Sequence, residues 1–223
     1  MIIKKLELYT SQLEQQTDFY SNIFQLEITD KNNDSVTFKI GDSILTFTYK
    51  AESKPYHFAF NIPANQEQEA LFWLKERVDI LEDKNQEIHH FKDWNAGAIY
   101  FYDYDNNIVE FIARKNLNNN STNNFTAESL LEISEMGIPT FDIENEYNIL
   151  AKTVELPIHS GNFERFCSLG DDEGLFILIN KDLKKYWYPT NDTPYSVDFK
   201  IKFIEKDKAY NFQYLDEKLS LIE

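Results

Sequence analysis

Apolar and polar residues alternate from the start of the chain. In IIKKLELYT, Leu6 and Leu8 fall on one face, and Lys5, Glu7 and Tyr9 on the other, which predicts a half-buried strand. SQLEQQTDFYSNIFQLEI follows with helical spacing of Leu13, Thr17, Phe19, Tyr20, Ile23 and Phe24. Ser11 with Glu14 three residues on predicts a capped helix start. A strand near Glu27–Thr29 and two more, SVTFKI and SILTFTYK joined by Gly-Asp, complete a strand–helix–strand–strand–strand order.

The order then returns. YHFAFNIP alternates, with Tyr56, Phe58, Phe60 and Ile62 on one face and His57, Ala59 and Asn61 on the other. NQEQEALFWLKERVDIL reads as a helix and QEIHHFKDW as extended chain. GAIYFYDYDNNIVEFIAR reads as two strands around a turn of Asp and Asn, residues that tolerate left-handed conformations. A third copy emerges when the segment from Lys5 is laid on that from Glu135 without a gap. Thr10 then meets Thr140, Leu13 meets Ile143 and Leu26 meets Leu156. Further on, FKIGD is matched to CSLGD, and Leu45–Tyr49 to Phe176–Asn180. YSVDFKIKF opens a fourth copy, truncated or altered, with no second helix in view. The Asn-rich stretch 116–124 divides residues 1–115 from 125–223 as a linker.

Composition narrows the classes. With 223 residues and 42% hydrophobic content, the chain is long enough to bury roughly 70% of its unfolded surface. A net charge of −16 argues against nucleic acid and anionic membrane surfaces as partners. A single cysteine, Cys167, allows no internal disulfide, and with no secretory or membrane-spanning pattern in view the expectation is a cytoplasmic protein. Cys167 itself reads as a small buried hydrophobe.

Tandem units of this order, one opened by YHFAFNIP and closed by AIYFYDYDNNIVEF, resemble the vicinal oxygen chelate superfamily of glyoxalases, extradiol dioxygenases and fosfomycin and bleomycin resistance proteins. Many members carry Asp-Pro-Asp-Gly-Asn where this chain has Asp103-Tyr104-Asp105-Asn106-Asn107. The resemblance covers residues 1–115 well and 125–203 loosely. It implies an α+β fold in which the first two βαβββ units pair, with curved mixed sheets around a cleft that holds a divalent metal. Carried over, it makes His57 and Glu110 ligands, while the first-strand ligand position falls on Lys5. An ammonium has no lone pair to offer, so Glu7 becomes the third candidate. A Lys5–Glu110 ion pair in place of the metal is the competing arrangement.

Each candidate has a plainer reading beside it. His57 is a ligand or a satisfied polar residue in a cavity wall. Glu110 interrupts the apolar run IVEFIA, where a carboxylate needs a partner, metal or cation. Tyr100 is a candidate for proton transfer alongside Glu110. Trp94, Tyr102, Tyr9 and Asn61 are candidate substrate contacts or packing residues. His89 and His90 point to opposite faces of a strand. Glu135 and Gly137, at the positions of Lys5 and Glu7 in the third unit, form no recognisable metal set, and KYWYPT is an aromatic loop with no assigned role. The expected activity is metal-assisted lyase, isomerase or ring-cleaving chemistry (on Fe, Mn, Ni or Zn) on a small oxygen-bearing compound. A metal-free protein that sequesters such a compound and a non-catalytic dimerisation module are the alternatives, with a homodimer among the assemblies that the resemblance allows.

Overall fold

A computed structural model describes residues 1–222. The first unit comprises β1 (Ile2–Thr10), α1 (Leu13–Asp18), β2 (Ile28–Lys31), β3 (Ser35–Ile40) and β4 (Ser43–Tyr49). The second comprises β5 (His57–Ile62), α2 (Glu67–Lys75), β6 (Ile80–Leu81), β7 (His89–Phe91), β8 (Ala96–Tyr102) and β9 (Ile108–Arg114). The third comprises β10 (Glu132–Thr140), α3 (Ile143–Ala151), β11 (Ile158–Asn162), β12 (Phe166–Asp171) and β13 (Gly174–Asn180). The last is a helix-free meander of β14 (Phe199–Glu205), β15 (Lys208–Leu215) and β16 (Lys218–Leu221). Its hairpins turn on Lys206-Asp207 and Asp216-Glu217, all at positive φ. Neither of these hairpins was expected from the sequence. No helix among the described residues is long and apolar enough to cross a membrane.

The α+β architecture is as expected, and the internal repeat is exact in its first strand and helix start, Ile2–Thr10 and Leu13 against Glu132–Thr140 and Ile143. The match of FKIGD to CSLGD is two residues out. Pairing of Phe38 with Leu45, and of Leu169 with Phe176, sets Phe38 against Leu169 instead. Ser11 does not cap α1. Gln12 is the cap residue, and its N–H finds the Thr10 hydroxyl at 2.9 Å.

The pairing of units also departs from expectation. β5 lies antiparallel to β10, and β1 lies antiparallel to β14, so the second unit faces the third and the first faces the last. The two halves join through a single β1–β10 register pair, Ile3 with Ile133. Order along the spine is β16-β15-β14-β1-β10-β5-β9-β8-β6, one continuous mixed sheet. Meeting of units is a matter of strand edges, which a single strand's alternation does not encode.

The convex face packs under the helices. Phe24 of the first unit touches Trp73, Phe101 and Phe111 of the second, so one apolar core spans both halves. Asp103 fastens them further, accepting from Gln16 Nε2 at 2.6 Å and the Tyr20 hydroxyl at 2.9 Å. The Asn-rich stretch is held against the start of α2, where Ala64 N–H donates to Asn119 Oδ1 at 2.9 Å. The hairpin glycine Gly41 has positive φ and lies against Leu131 O, where a Cβ would sit 1.8 Å from that oxygen.

Candidate metal centre

Three central strands aim their side chains into the concave face of the second and third units. Alternation along β5 sends Phe58, Phe60 and Ile62 into the core and His57 and Ala59 the other way. On β9, Val109 and Phe111 enter the core, while Glu110 and Arg114 lie on the concave side. Ala59 pairs with Glu110 on one side and with Glu135 on the other, setting both carboxylates in one row. The small Ala59 side chain leaves the space above that row to the carboxylates and the His57 imidazole.

Glu135 reaches this face through a β-bulge. Ile133, Met136 and Ile138 of β10 all point into the core, and the register shifts between Ile133 and Glu135. Without the extra residue, Glu135 would share the core face of Ile133. The same irregularity recurs between Ile3 and Lys5 of β1, with Ile3, Leu6 and Leu8 in the core. A spacing of three and then two between core residues is therefore the bulge's signature in both strands.

His57, Glu110 and Glu135 are all buried, and one potential ligand atom from each lies within 4.8 Å of the others. His57 Nε2 stands 3.7 Å from Glu110 Oε2 and 3.9 Å from Glu135 Oε2. His57 Nδ1 lies 3.1 Å from Ile108 O, an acceptor only, so Nδ1 carries the proton and Nε2 presents its lone pair. Burial lowers the His57 pKa to about 4, so the ring is neutral. Burial raises Glu110, and the neighbouring Glu135 raises it further; burial also raises Glu135, against the pull of Arg114. Arg114 has a fully buried side chain that donates to Glu135 Oε1. Two carboxyl groups thus share one guanidinium, so the second charge is taken up by a proton or balanced by a cation. A neutral imidazole nitrogen and two carboxylates are a donor set that fits Fe(II), Mn(II), Ni(II) or Zn(II). The concave residue that β13 adds to the cavity is Ile177, which is no ligand.

The cavity above the cluster is about 260 Å³. Tyr100 lies at its wall with its hydroxyl against Glu110, and Trp94 and Phe91 complete that side. Residues 184–188, from the connection between β13 and β14, form the roof. Trp187 packs on the His57 ring at 4.9 Å. It lies against Gly137, where a Cβ would sit 3.0 Å from its ring. Tyr188 is hydrogen-bonded to His89 Nδ1 at 2.7 Å, while His89 Nε2 is 3.1 Å from Leu81 O. Since Leu81 O only accepts, Nε2–H donates to it and the tyrosine hydroxyl donates to Nδ1.

Of the expected residues, the structure brings together His57, Glu110, Tyr100 and Trp94. Glu7 does not join them. It lies in the other half, 2.8 Å from Lys200 and 3.7 Å from Lys5. Beside His57 and Glu110 stands Glu135 instead, from the third unit, where the sequence shows no recognisable metal set. The Lys5–Glu110 pair does not form; the cation at the cluster is Arg114. Tyr9 is also in the other half, with Lys50 over its ring. Asn61 donates to Glu132 and to Asp172 O at 3.0 Å. The Tyr102 hydroxyl donates to Asp192 in an outer groove. Cys167 is buried, with its thiol pushed up to about 11 by burial, which suits a packing role. Glu135 and Arg114 were missed, although each had a signal. Glu135 is a carboxylate in the apolar strand EISEMGIPT, and Arg114 follows Glu110 at an even spacing on one strand face.

Neither a protein-family profile nor a curated relative matches the chain by sequence. Among solved structures, a Bacillus subtilis protein named as a dioxygenase is 12% identical; the match covers 99% of this chain and 84% of that one, with TM-score 0.62. A mutant of glyoxalase I from Zea mays is 14% identical over 79% of this chain and 66% of that one, with TM-score 0.54. The fold is therefore the glyoxalase/dioxygenase-like fold of the vicinal oxygen chelate proteins, as the sequence resemblance implied.

Proposed function

We propose that the chain is a metal-dependent enzyme acting on a small molecule that presents neighbouring oxygens to a divalent ion held by His57, Glu110 and Glu135. The observation that carries this reading is the His57 tautomer: its Nδ1–H is spent on Ile108 O, and its Nε2 lone pair faces two buried carboxylates. The bound ion would polarise substrate oxygens and stabilise negative charge developing on them. Around it the chain's own residues have separate tasks. Arg114 fixes Glu135 and balances part of its charge. The Tyr100 hydroxyl, kept protonated well above its ordinary range by burial and by Glu110, holds a proton beside that carboxylate. Trp187 closes the roof and keeps water from the cluster.

The Arg114–Glu135 pair favours one second reading, since it compensates one carboxylate without any metal. On that reading the cavity sequesters a small compound and catalyses nothing. Elemental analysis of protein purified without chelators, with Mn(II) and Zn(II) titrations, separates the two. The enzyme reading expects close to one ion per chain and a rise in melting temperature on metal addition that His57→Ala removes. Less than about one-tenth of an ion, with no metal-induced shift, would sink it and leave the sequestering protein.

A further inference from the structure

Lys184 is the unexplained charge in this cavity. It lines the chamber beside Trp187, on the roof segment, and its ammonium is partly buried. The chain has 38 acidic residues, yet none pairs with Lys184 among the described residues. Its hydrogen-bond acceptor is Tyr186 O at 3.3 Å, it lies over the face of Trp187, 4.9 Å from the ring centroid, and the charge of Arg165 is a like one nearby. An ammonium held with so little solvent and no counter-ion is poised for an anion. It also lies near enough to His57 to disfavour protonation of that ring. The other walls are flat: Phe91, Trp94, Tyr100 and Phe166 face the same space.

We propose that Lys184 reads an anionic substituent, so that the cavity takes a small aromatic compound bearing a carboxylate or similar anion apart from the oxygens that face the donor cluster. This rests on the cavity being the substrate site. Two features specify the ligand. Aromatic walls accept a planar ring by stacking and edge contacts, and the lysine enters the cavity from the roof segment, apart from the strands that carry Glu110 and Glu135. A neutral ring would leave the ammonium without a partner, and a cationic one would be repelled by it. Burial lowers the Lys184 pKa to about 8, which leaves the amine charged at neutral pH but short of solvation. Binding an anion relieves that shortage.

The test uses chelator-treated protein at pH 7 and two probes of equal shape, benzoate and benzamide, followed by tryptophan fluorescence, since Trp94 and Trp187 both line the chamber. Benzoate is expected to bind at least about tenfold more tightly than benzamide, the usual scale for a hydrogen bond to a charged group. Lys184→Gln should bring the two to similar affinity, and Lys184→Arg should keep the preference. Equal binding by wild type, no binding of either probe, or a benzoate preference that survives Lys184→Gln overturns the proposal. Because no metal is present, these outcomes are independent of the metal titration. Failure of that titration with the benzoate preference intact removes the metal reading alone.

Discussion

The two halves of the sheet are built alike and finished oppositely. In each, a bulged first strand lies antiparallel to a strand from another unit. At equivalent positions, Lys5 in one half answers to Glu135 in the other, and Glu7 answers to Gly137. Lys5 stands opposite Lys202, Glu7 opposite Lys200, and the Lys5 side chain is 44% exposed. Glu135 stands opposite Ala59, and its side chain is 3% exposed. Gly137 leaves room for Trp187 to cover the acidic row. The connection that brings this roof follows the third unit. One scaffold thus yields an ordinary solvated face of ion pairs and a covered acidic cluster. The difference lies in two side chains and one loop, so the scaffold alone does not make a site.

The largest expected contrast concerns the cations. Arg114→Met leaves Glu135 without its partner in a buried setting and should cost about 3–5 kcal/mol, seen as a fall of ~10 °C in melting temperature. Lys200→Met removes an exposed partner of Glu7 and should cost no more than about 1 kcal/mol. Similar losses for both would erase the distinction between the halves. Next comes metal affinity, measured by calorimetry. Glu135→Gln should weaken Zn(II) or Mn(II) binding by more than roughly 100-fold, beyond the usual loss for an outer-shell partner, while Glu7→Gln changes nothing. The reverse pattern would return the third ligand to the first strand.

Acid response gives a smaller contrast. All four histidines lie in the second and third units. The His57 pKa is lowered to about 4 in the fold, so the unfolded chain takes up its proton first as pH falls. His57 therefore contributes stability that is full above about pH 6.5 and is lost toward pH 4, roughly 2 kcal/mol of it by pH 5. Glu110 and Glu135 face the ring, are raised in pKa, and act in the opposite sense. Comparing denaturant unfolding of metal-free wild type and His57→Gln between pH 7 and 5 isolates the imidazole. A wild type that loses no more than the variant would contradict a neutral buried ring. The smallest effect belongs to Lys5→Met, within about 0.5 kcal/mol by the same unfolding measurement; a larger loss would mean that Lys5 is more than a solvated charge.

Much of the fold was legible because its signals are local. Alternation along YHFAFNIP put His57 on the face opposite Phe58 and Phe60, the apolar register laid Glu135–Thr140 on Lys5–Thr10, and the strand IVEFIA marked Glu110 as a carboxylate in need of a partner. These follow from a side-chain period of two and from the cost of burying charge, which any single segment carries within itself. Three things were decided only in three dimensions. Edge pairing chose the third unit, not the first, to face the second. The bulge before Glu135 turned that carboxylate out of the core and toward His57. Residues 184–188 folded back over the cluster because Gly137 left them a place. Each depends on contacts between residues far apart along the chain, where hydrophobic periodicity fixes which face is buried but not against what.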